Sequence, residues 1–200
     1  MHHIAFVALL ALAVGCKDKG KDAAVNQPPA PPAVKAPVTP PPAPPAPPAG
    51  PATATAALEA RSGSNVKGTV RFKAVDGGVE VTAAIEGLTP GDHAYHVHEK
   101  GDCSAPDAAS AGGHFNPHAQ PHGGPEAAAH HAGDFGNLTA SGDGKATKTF
   151  VMHGITLGGD ASSVVGKGFI VHEKADDLKT QPTGDAGGRV ACGVIRLDAK

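Results

Sequence analysis

The sequence lacks three features that would each have pointed to a different class of protein. The apolar run near the N-terminus, residues 4–14, has eleven residues, whereas a helix that spans a bilayer needs about 20. The formal net charge is −2 and no basic cluster is present, so binding to nucleic acid is not expected. No long stretch keeps a helical period, which argues against a helical fold.

The short apolar run has the length of a signal-peptide core. It ends in AVGC, and this ending resembles the lipobox of bacterial lipoproteins, whose cysteine is lipidated and becomes the mature N-terminus. We therefore expect residues 1–15 to be a signal peptide. The protein should be exported to the cell envelope or periplasm and anchored to a membrane by a lipid on Cys16. An ordinary cleaved signal followed by an incidental cysteine is the alternative.

A tract rich in proline and alanine follows at residues 28–51, PPAPPAVKAPVTPPPAPPAPPAGP, almost without charge. Such a tract cannot build a core and favours extended polyproline II, in which its 24 residues would reach on the order of 70 Å. We expect residues 16–57 to be a disordered linker that tethers a folded domain to the anchor. A docking site for a partner is the alternative use of the prolines.

The pattern changes at residues 58–200 to short apolar alternations separated by glycine-rich turns, as in GGVEVTAAIEGL and KATKTFVMH. The period of two predicts strands, and the turns DGG at residues 76–78 and GDG at residues 142–144 predict hairpins. A segment of this length can bury a core as an all-β antiparallel sandwich or barrel. Residues 101–137 are irregular, and loops of that length are usually functional.

Histidines stand at spacings that suit metal ligands. In the stretch HVHEKGDC, His96 and His98 point to the same face, because successive side chains of a strand alternate. Further candidates lie in the irregular segment and at the end of a later strand: His114, His122, His130, His131, Asp134 and His172. Three imidazoles from strands suit Cu(II), and imidazoles with one carboxylate suit tetrahedral Zn(II). The pattern predicts two metal sites; incidental histidines are the alternative.

The chain contains three cysteines, Cys16, Cys103 and Cys192. With Cys16 lipidated a pair remains, and an exported protein meets an oxidising compartment, so we expect Cys103 and Cys192 to form a disulfide. The bridge would close a loop of 89 residues and stabilise the fold by roughly 4–5 kcal/mol on the chain-entropy argument.

Six motifs follow one another between residue 66 and the C-terminus: HVHEKGD, SAGGHFNP, HGGP, HAGDFGNL, VHEKADD and GGRVACGVI. In this order they resemble the copper/zinc superoxide dismutase family. The resemblance implies that residues 58–200 fold as an eight-stranded antiparallel Greek-key β-barrel or sandwich with long metal-binding loops. It also implies copper and zinc as cofactors, and disproportionation of superoxide to dioxygen and hydrogen peroxide, which would protect the cell envelope.

The same resemblance implies a role for each motif residue. Copper would be held by His96, His98, His114 and His172, and zinc by His114, His122, His131 and Asp134. His114 would bridge the metals and act in catalysis, Asp176 would link a copper histidine to a zinc histidine, and Arg189 would be the catalytic arginine that guides the anion. The histidines left without a role are expected at the surface: His93, His118, His130 and His153.

Two other functions remain open at this point. An exported protein that stores or buffers copper and zinc would need the same ligands without turnover. A surface adhesion module on a proline-rich stalk would need the sandwich alone. The presence of all seven ligand positions together with Arg189 favours the enzyme. The sequence does not determine the oligomeric state, for which a homodimer is one candidate.

Overall fold

The structure is a computed structural model, and it describes residues 52–199. The predicted signal peptide, Cys16 and the proline-rich tract of residues 28–51 lie outside the described residues. Within residues 52–199, no helix is long and apolar enough to cross a membrane.

Nine antiparallel strands and a single 3-10 turn at Ala109–Ala111 make up the regular structure of this region. In chain order the strands are β1 (Thr53–Ala60), β2 (Lys67–Val75), β3 (Gly78–Glu86), β4 (Gly91–His98), β5 (Asp134–Ala140), β6 (Ala146–Met152), β7 (Gly168–His172), β8 (Arg189–Val194) and β9 (Arg196–Leu197). Hydrogen-bonded neighbours follow the order β5-β4-β7-β8-β1-β2-β3-β6, and β9 pairs with β1. The prediction of an all-β, eight-stranded antiparallel barrel is confirmed, and the two-residue β9 adds a short ninth strand beside β1.

The barrel begins at Thr53, five residues before the boundary predicted at residue 58. Ala54, Ala56 and Leu58 point inward and are buried, while the residues between them are exposed or half-buried. The stretch TATAALEA therefore has the period of a strand with one buried face. Its small alanines match the composition of the linker before it, which is why the predicted linker ends too late.

The two predicted hairpin turns have different outcomes. The DGG turn connects β2 directly to β3, whose ladder runs up to the turn. Gly77 has a φ of 79° there, a left-handed conformation that glycine adopts without steric cost. The GDG turn is closed by a hydrogen bond from Ser141 N to Lys145 O. The hairpin expected around that second turn is nevertheless wrong, because β5 and β6 stand at opposite ends of the strand order and form no ladder.

Aromatic rings fill the centre of the barrel. The rings of Tyr95, Phe135, Phe150 and Phe169 pack with centroids between 5.6 and 6.0 Å apart, mostly edge to face. Phe72 adds an edge-to-face contact with Phe169 at 6.0 Å. Such pairs stabilise a core by about 0.5–1.5 kcal/mol each beyond the burial of their area. The cluster gives the strands a rigid common core.

The strand that carries the HVH motif, β4, is buried on both of its faces from His93 onward. Tyr95 and Val97 point into the barrel and join its apolar core. His96 and His98, which alternate with them, point outward. Hydrogen bonds to these two rings come from the loops that follow β4 and β7, so both loops lie over the outer face of β4. The outside of this strand is therefore an enclosed site.

A disulfide ties the loop after β4 to the barrel. Cys103 and Cys192 are bonded, with their Cα atoms 5.8 Å apart, as the cysteine count predicts. Beneath the loop, Ala108 and Ala111 pack against Ile170 of β7 and Cys192 of β8 in a small apolar cluster. The covalent bond and this cluster together fix the loop over the outer face of the sheet.

Candidate metal centre

Four imidazoles converge on the outer face of β4 and β7. His96 and His98 come from β4, His172 is the last residue of β7, and His114 reaches in from the loop after β4, where it pairs with His98 in an isolated bridge. The ring centroids of His96 and His114 are 4.0 Å apart, and those of His98 and His114 are 5.0 Å apart. The four side chains are at most 7% exposed, and one nitrogen from each lies within 4.8 Å of the others.

Three of these rings use one nitrogen to hold their orientation. The bonds run from His96 Nε2 to Asp176 Oδ2 at 2.7 Å, from His98 Nδ1 to Gly112 O at 2.9 Å, and from His172 Nδ1 to Gly187 O at 3.2 Å. The second nitrogen of each ring, like Nε2 of His114, is buried and has no hydrogen-bond partner among the described residues. Buried polar atoms are nearly always partnered. Four converging nitrogens without partners fit a metal ion bound by imidazoles.

A second cluster lies on the other side of the His114 ring. Its members are His114, His122, His131 and Asp134, all buried, with ligand atoms within 4.8 Å of one another. Asp134 Oδ1 lies 2.7 Å from His114 Nδ1 and 3.2 Å from His131 Nδ1. His122 Nδ1 is 3.1 Å from Asp134 Oδ2 without the geometry of a hydrogen bond. Three imidazole nitrogens and one carboxylate fit the tetrahedral set that Zn(II) adopts.

The carboxylate of Asp176 connects the two clusters by hydrogen bonds to one ring of each. One carboxylate oxygen accepts the bond from His96, and the other accepts from His122 Nε2 at 2.9 Å. Gly184 packs so closely here that a Cβ at its position would overlap Asp176 Oδ1, and its φ of 68° also favours glycine. The backbone of the loop after β7 therefore determines where this carboxylate lies.

Burial sets the protonation of the first cluster. Loss of hydration lowers the pKa of His172 to about 3 and the pKa of His96 to about 4, although Asp176 opposes the shift at His96. The same cause lowers the pKa of His98 well below its ordinary value. These three rings are therefore neutral near pH 7, which is the form in which an imidazole nitrogen binds a metal.

In the second cluster, neighbouring carboxylates outweigh burial in setting the pKa of one ring, His122. Burial alone would lower the pKa of His122, but the hydrogen bond to Asp176 and the nearby negative charge of Asp134 outweigh it and raise that pKa to about 9. Burial alone would likewise raise the pKa values of the two carboxyls, yet the histidines that bond to them hold both well below the ordinary range. Near pH 7 both carboxylates are therefore ionised and His122 holds a proton, which a bound metal ion would displace.

Comparison with known proteins decides the family. Residues 66–195, more than half of the chain, match the family profile described as "Copper/zinc superoxide dismutase (SODC)". Superoxide dismutase [Cu-Zn] A of Xenopus laevis is 48% identical over an alignment of 138 residues, and the match covers 66% of this chain and 89% of that protein. The chain belongs to the copper/zinc superoxide dismutase family. It is an enzyme that disproportionates superoxide, with copper and zinc as its cofactors.

A solved structure supports the same conclusion about the fold of this superoxide dismutase. The "Crystal Structure Analysis of the clock protein EA4" superposes with a TM-score of 0.68 at 39% sequence identity. The match covers 75% of this chain and 97% of that one. The two proteins therefore share the barrel over nearly the whole length of the solved chain.

The arginine predicted to guide superoxide lies beside the first cluster. Arg189 opens β8 and pairs with His172 across the ladder. Its Nη1 and Nη2 donate to Ala108 O and Gly112 O, each at 2.7 Å. Gly112 O also accepts from His98, so the guanidinium and a ring of the first cluster share one acceptor. The two carbonyls fix the position of a half-buried positive charge.

The structure brings all seven predicted ligand positions together, but it corrects the surface histidines in one case. His118 and His153 are exposed and His130 is half-buried, whereas His93 is 3% exposed and its predicted exposure is wrong. Its Nδ1 lies 2.8 Å from His172 O, and its Nε2 lies 2.9 Å from Thr89 O. This ring fastens the end of β7 to the turn before β4.

Sequence reasoning also misses Asn137, on β5. Its side chain exchanges two hydrogen bonds with the backbone of Asp176. The sequence offered one signal for it: Asn137 belongs to the HAGDFGNL motif and lies three residues after Asp134. Nothing in the spacing indicated that its partner would be a backbone in the other loop.

Proposed function

We propose that this superoxide dismutase binds copper and zinc through two sets of ligands that share one ring. The copper set is His96, His98, His114 and His172, and the zinc set is His114, His122, His131 and Asp134. The observation that carries the proposal is His114, whose unpartnered Nε2 faces the first set while its Nδ1 belongs to the second. Asp176 supports it, because ligand histidines are usually oriented by an acceptor at their other nitrogen.

The overall reaction converts two superoxide anions and two protons into dioxygen and hydrogen peroxide. Bound copper would supply a one-electron redox couple, and bound zinc a fixed positive charge without redox chemistry. The chain itself must supply a proton carrier near the reacting anion. Nδ1 of His114 belongs to the zinc set, so Nε2 is the nitrogen of this ring at which a proton can be taken up and released. We assign that nitrogen to proton delivery.

Arg189 is assigned to binding and orienting superoxide. Its guanidinium stays protonated at any working pH, and two backbone carbonyls hold it beside the copper set. A fixed charge that is positioned in advance stabilises an anion without reorganising when the anion arrives. Arg189 belongs to neither ligand set, so it can act on the rate without holding a metal.

Elemental analysis tests the ligand sets. The protein should contain about one copper and one zinc per chain, since each set offers four ligands. His172→Ala should lose copper and keep zinc, and His122→Ala should lose zinc first. His153→Ala, which removes an exposed histidine, is the matched control and should keep both metals. A protein that takes up zinc alone from an excess of both metals would contradict the assignment.

We also propose that the enzyme is exported and anchored to a membrane of the cell envelope. The support lies in the sequence: an apolar run of signal-peptide length, AVGC with Cys16, and the proline-rich tract. Cys16→Ser should move the activity from the membrane fraction to the soluble fraction without reducing it. Wild-type protein that is wholly soluble in a bacterium with lipoprotein processing would overturn the anchor. The homodimer stays a prediction, which sedimentation of Cys16→Ser protein tests.

A further inference from the structure

The barrel has a seam where its sheet does not close. β5 and β6 are the two ends of the strand order, and no ladder joins them. Among the described residues, one hydrogen bond joins these strands: Lys148 of β6 donates from Nζ to the backbone carbonyl of Asn137 on β5, at 2.7 Å. Its side chain is half-buried, with Nζ 5.7 Å from the ring centroid of Tyr95 and 5.6 Å from that of Phe150. Lys148 therefore takes the place of a ladder bond at the seam.

The residue that Lys148 holds is itself bonded to the metal centre. Asn137 Nδ2 donates to Asp176 O at 2.9 Å, and Asp176 N donates to Asn137 Oδ1 at 2.7 Å. Two reciprocal bonds fix a backbone more firmly than one, because they define its orientation as well as its distance. Asn137 therefore connects β5 to the loop after β7.

The carboxylate of Asp176 carries this connection to both ligand sets. It accepts from His96 of the copper set and from His122 of the zinc set, and it is fully buried. Lys148 is thus connected to His96 and His122 through Asn137 and Asp176. Each hydrogen bond along this path is 2.9 Å or shorter.

We propose that Lys148 is a positioning residue for the metal centre, acting through Asn137 on Asp176. The proposal rests on the ligand sets assigned above. Release of zinc requires His122 to separate from its neighbours, and that ring is held from behind by Asp176. With the lysine bond intact, β5 and the loop after β7 keep Asp176 in place. Without it, the seam loosens and the carboxylate moves more freely.

The rate at which zinc leaves the fully metallated protein into an excess of chelator, at pH 7 and 25 °C, tests this. Lys148→Met keeps the apolar stem and removes the donor, and it should speed release by about 3–10-fold, somewhat less than the 10–100-fold typical of a direct partner of a ligand. Lys148→Arg keeps a donor and should restore a rate near that of wild type. Lys145→Met, which removes an exposed lysine from the neighbouring turn, is the control and should change nothing.

A double-mutant cycle with Asn137→Ala separates positioning from a general loss of stability. If the lysine acts through the side chain of Asn137, Lys148→Met should add little to the release rate in the Asn137→Ala background. An equal acceleration in both backgrounds would assign Lys148 to barrel stability alone. Release from Lys148→Met within twofold of wild type would overturn the proposal outright.

A measurement without metals distinguishes failure of this proposal from failure of the ligand sets. In the metal-free protein, exchange of the Asn137 side-chain amide protons, followed by NMR, should be faster in Lys148→Met than in Lys145→Met. If Lys148 orders Asn137 but the ligand sets are wrong, exchange will still be faster in Lys148→Met than in Lys145→Met, although the protein binds no zinc at His122. If exchange is the same in both variants, Lys148 does not position Asn137.

Discussion

A hydroxyl group lies in the centre of the barrel without a partner. Tyr95 is fully buried, and among the described residues its phenol oxygen has no hydrogen-bond partner. Its ring packs edge to face against Phe135 and Phe150, each with centroids 6.0 Å away. Burial raises the pKa of Tyr95 well above its ordinary value, so the group stays a neutral phenol. Tyr95→Phe would keep the ring and its contacts while removing this oxygen.

The expected change in stability is a gain. A buried hydroxyl without a partner costs about 1–3 kcal/mol of desolvation. Its removal leaves a void of about 10 Å³, which costs about 0.2 kcal/mol at about 24 cal/mol per Å³. The free energy of unfolding should therefore rise by about 1–3 kcal/mol. At about 2–4 °C per kcal/mol for a domain of this size, the midpoint of thermal unfolding should rise by about 2–12 °C.

Urea unfolding of the metal-free protein with its disulfide intact is the assay. The midpoint should rise in Tyr95→Phe with an unchanged m-value, which would show that the compactness of the two states is the same. Tyr95→Leu, which also loses the edge-to-face contacts, should be less stable than wild type. If Tyr95→Phe is equally stable or less stable, the phenol has a partner, such as a buried water, and the reasoning is refuted.

Four further predictions follow from the same contacts. Gly184→Ala should displace the carboxylate that its Cβ would overlap and speed zinc release into a chelator about 10-fold or more. Cys103→Ser should lower the free energy of unfolding in urea by about 2–5 kcal/mol. The metal-free protein should lose stability in urea as the pH falls from about 6.5 to about 4, because the unfolded chain protonates His96 and His172 while the folded barrel keeps them neutral. The slope should reach about 1.4 kcal/mol per pH unit for each of these histidines. Arg189→Glu should keep both metals and remove superoxide about 10-fold or more slowly in stopped flow, and an unchanged rate would contradict its role.

Motif spacing and strand alternation predict most of the site, because both are local properties of the sequence. The HVH stretch places His96 and His98 on one face, and the structure shows that face enclosed by the two loops. The same alternation predicts that His93 is buried, contrary to the surface position expected for it. This residue shares the parity of Tyr95 and Val97, which point inward, so its burial follows from the same rule.

The features that sequence does not predict depend on distant partners. The alanine-rich sequence of β1 resembles the linker that precedes it. The strand is buried because it pairs with β2 and β8. Asn137 finds its partner in a loop that begins 36 residues later in the chain, and Lys148 finds a carbonyl on a strand with which it forms no ladder. Such contacts follow from how the barrel closes, and no local pattern encodes that closure.

Superoxide removal as a function of copper content is the decisive test that the copper set is the site of turnover. Samples of the zinc-loaded protein are titrated with copper, the copper in each is measured by elemental analysis, and the decay of superoxide is followed by stopped-flow absorbance. If the copper set is the site of turnover, the rate should rise in proportion to bound copper and level off at about one copper per chain, because each chain has one copper set. Fully metallated protein that shows no turnover would contradict this assignment and leave metal storage as the function.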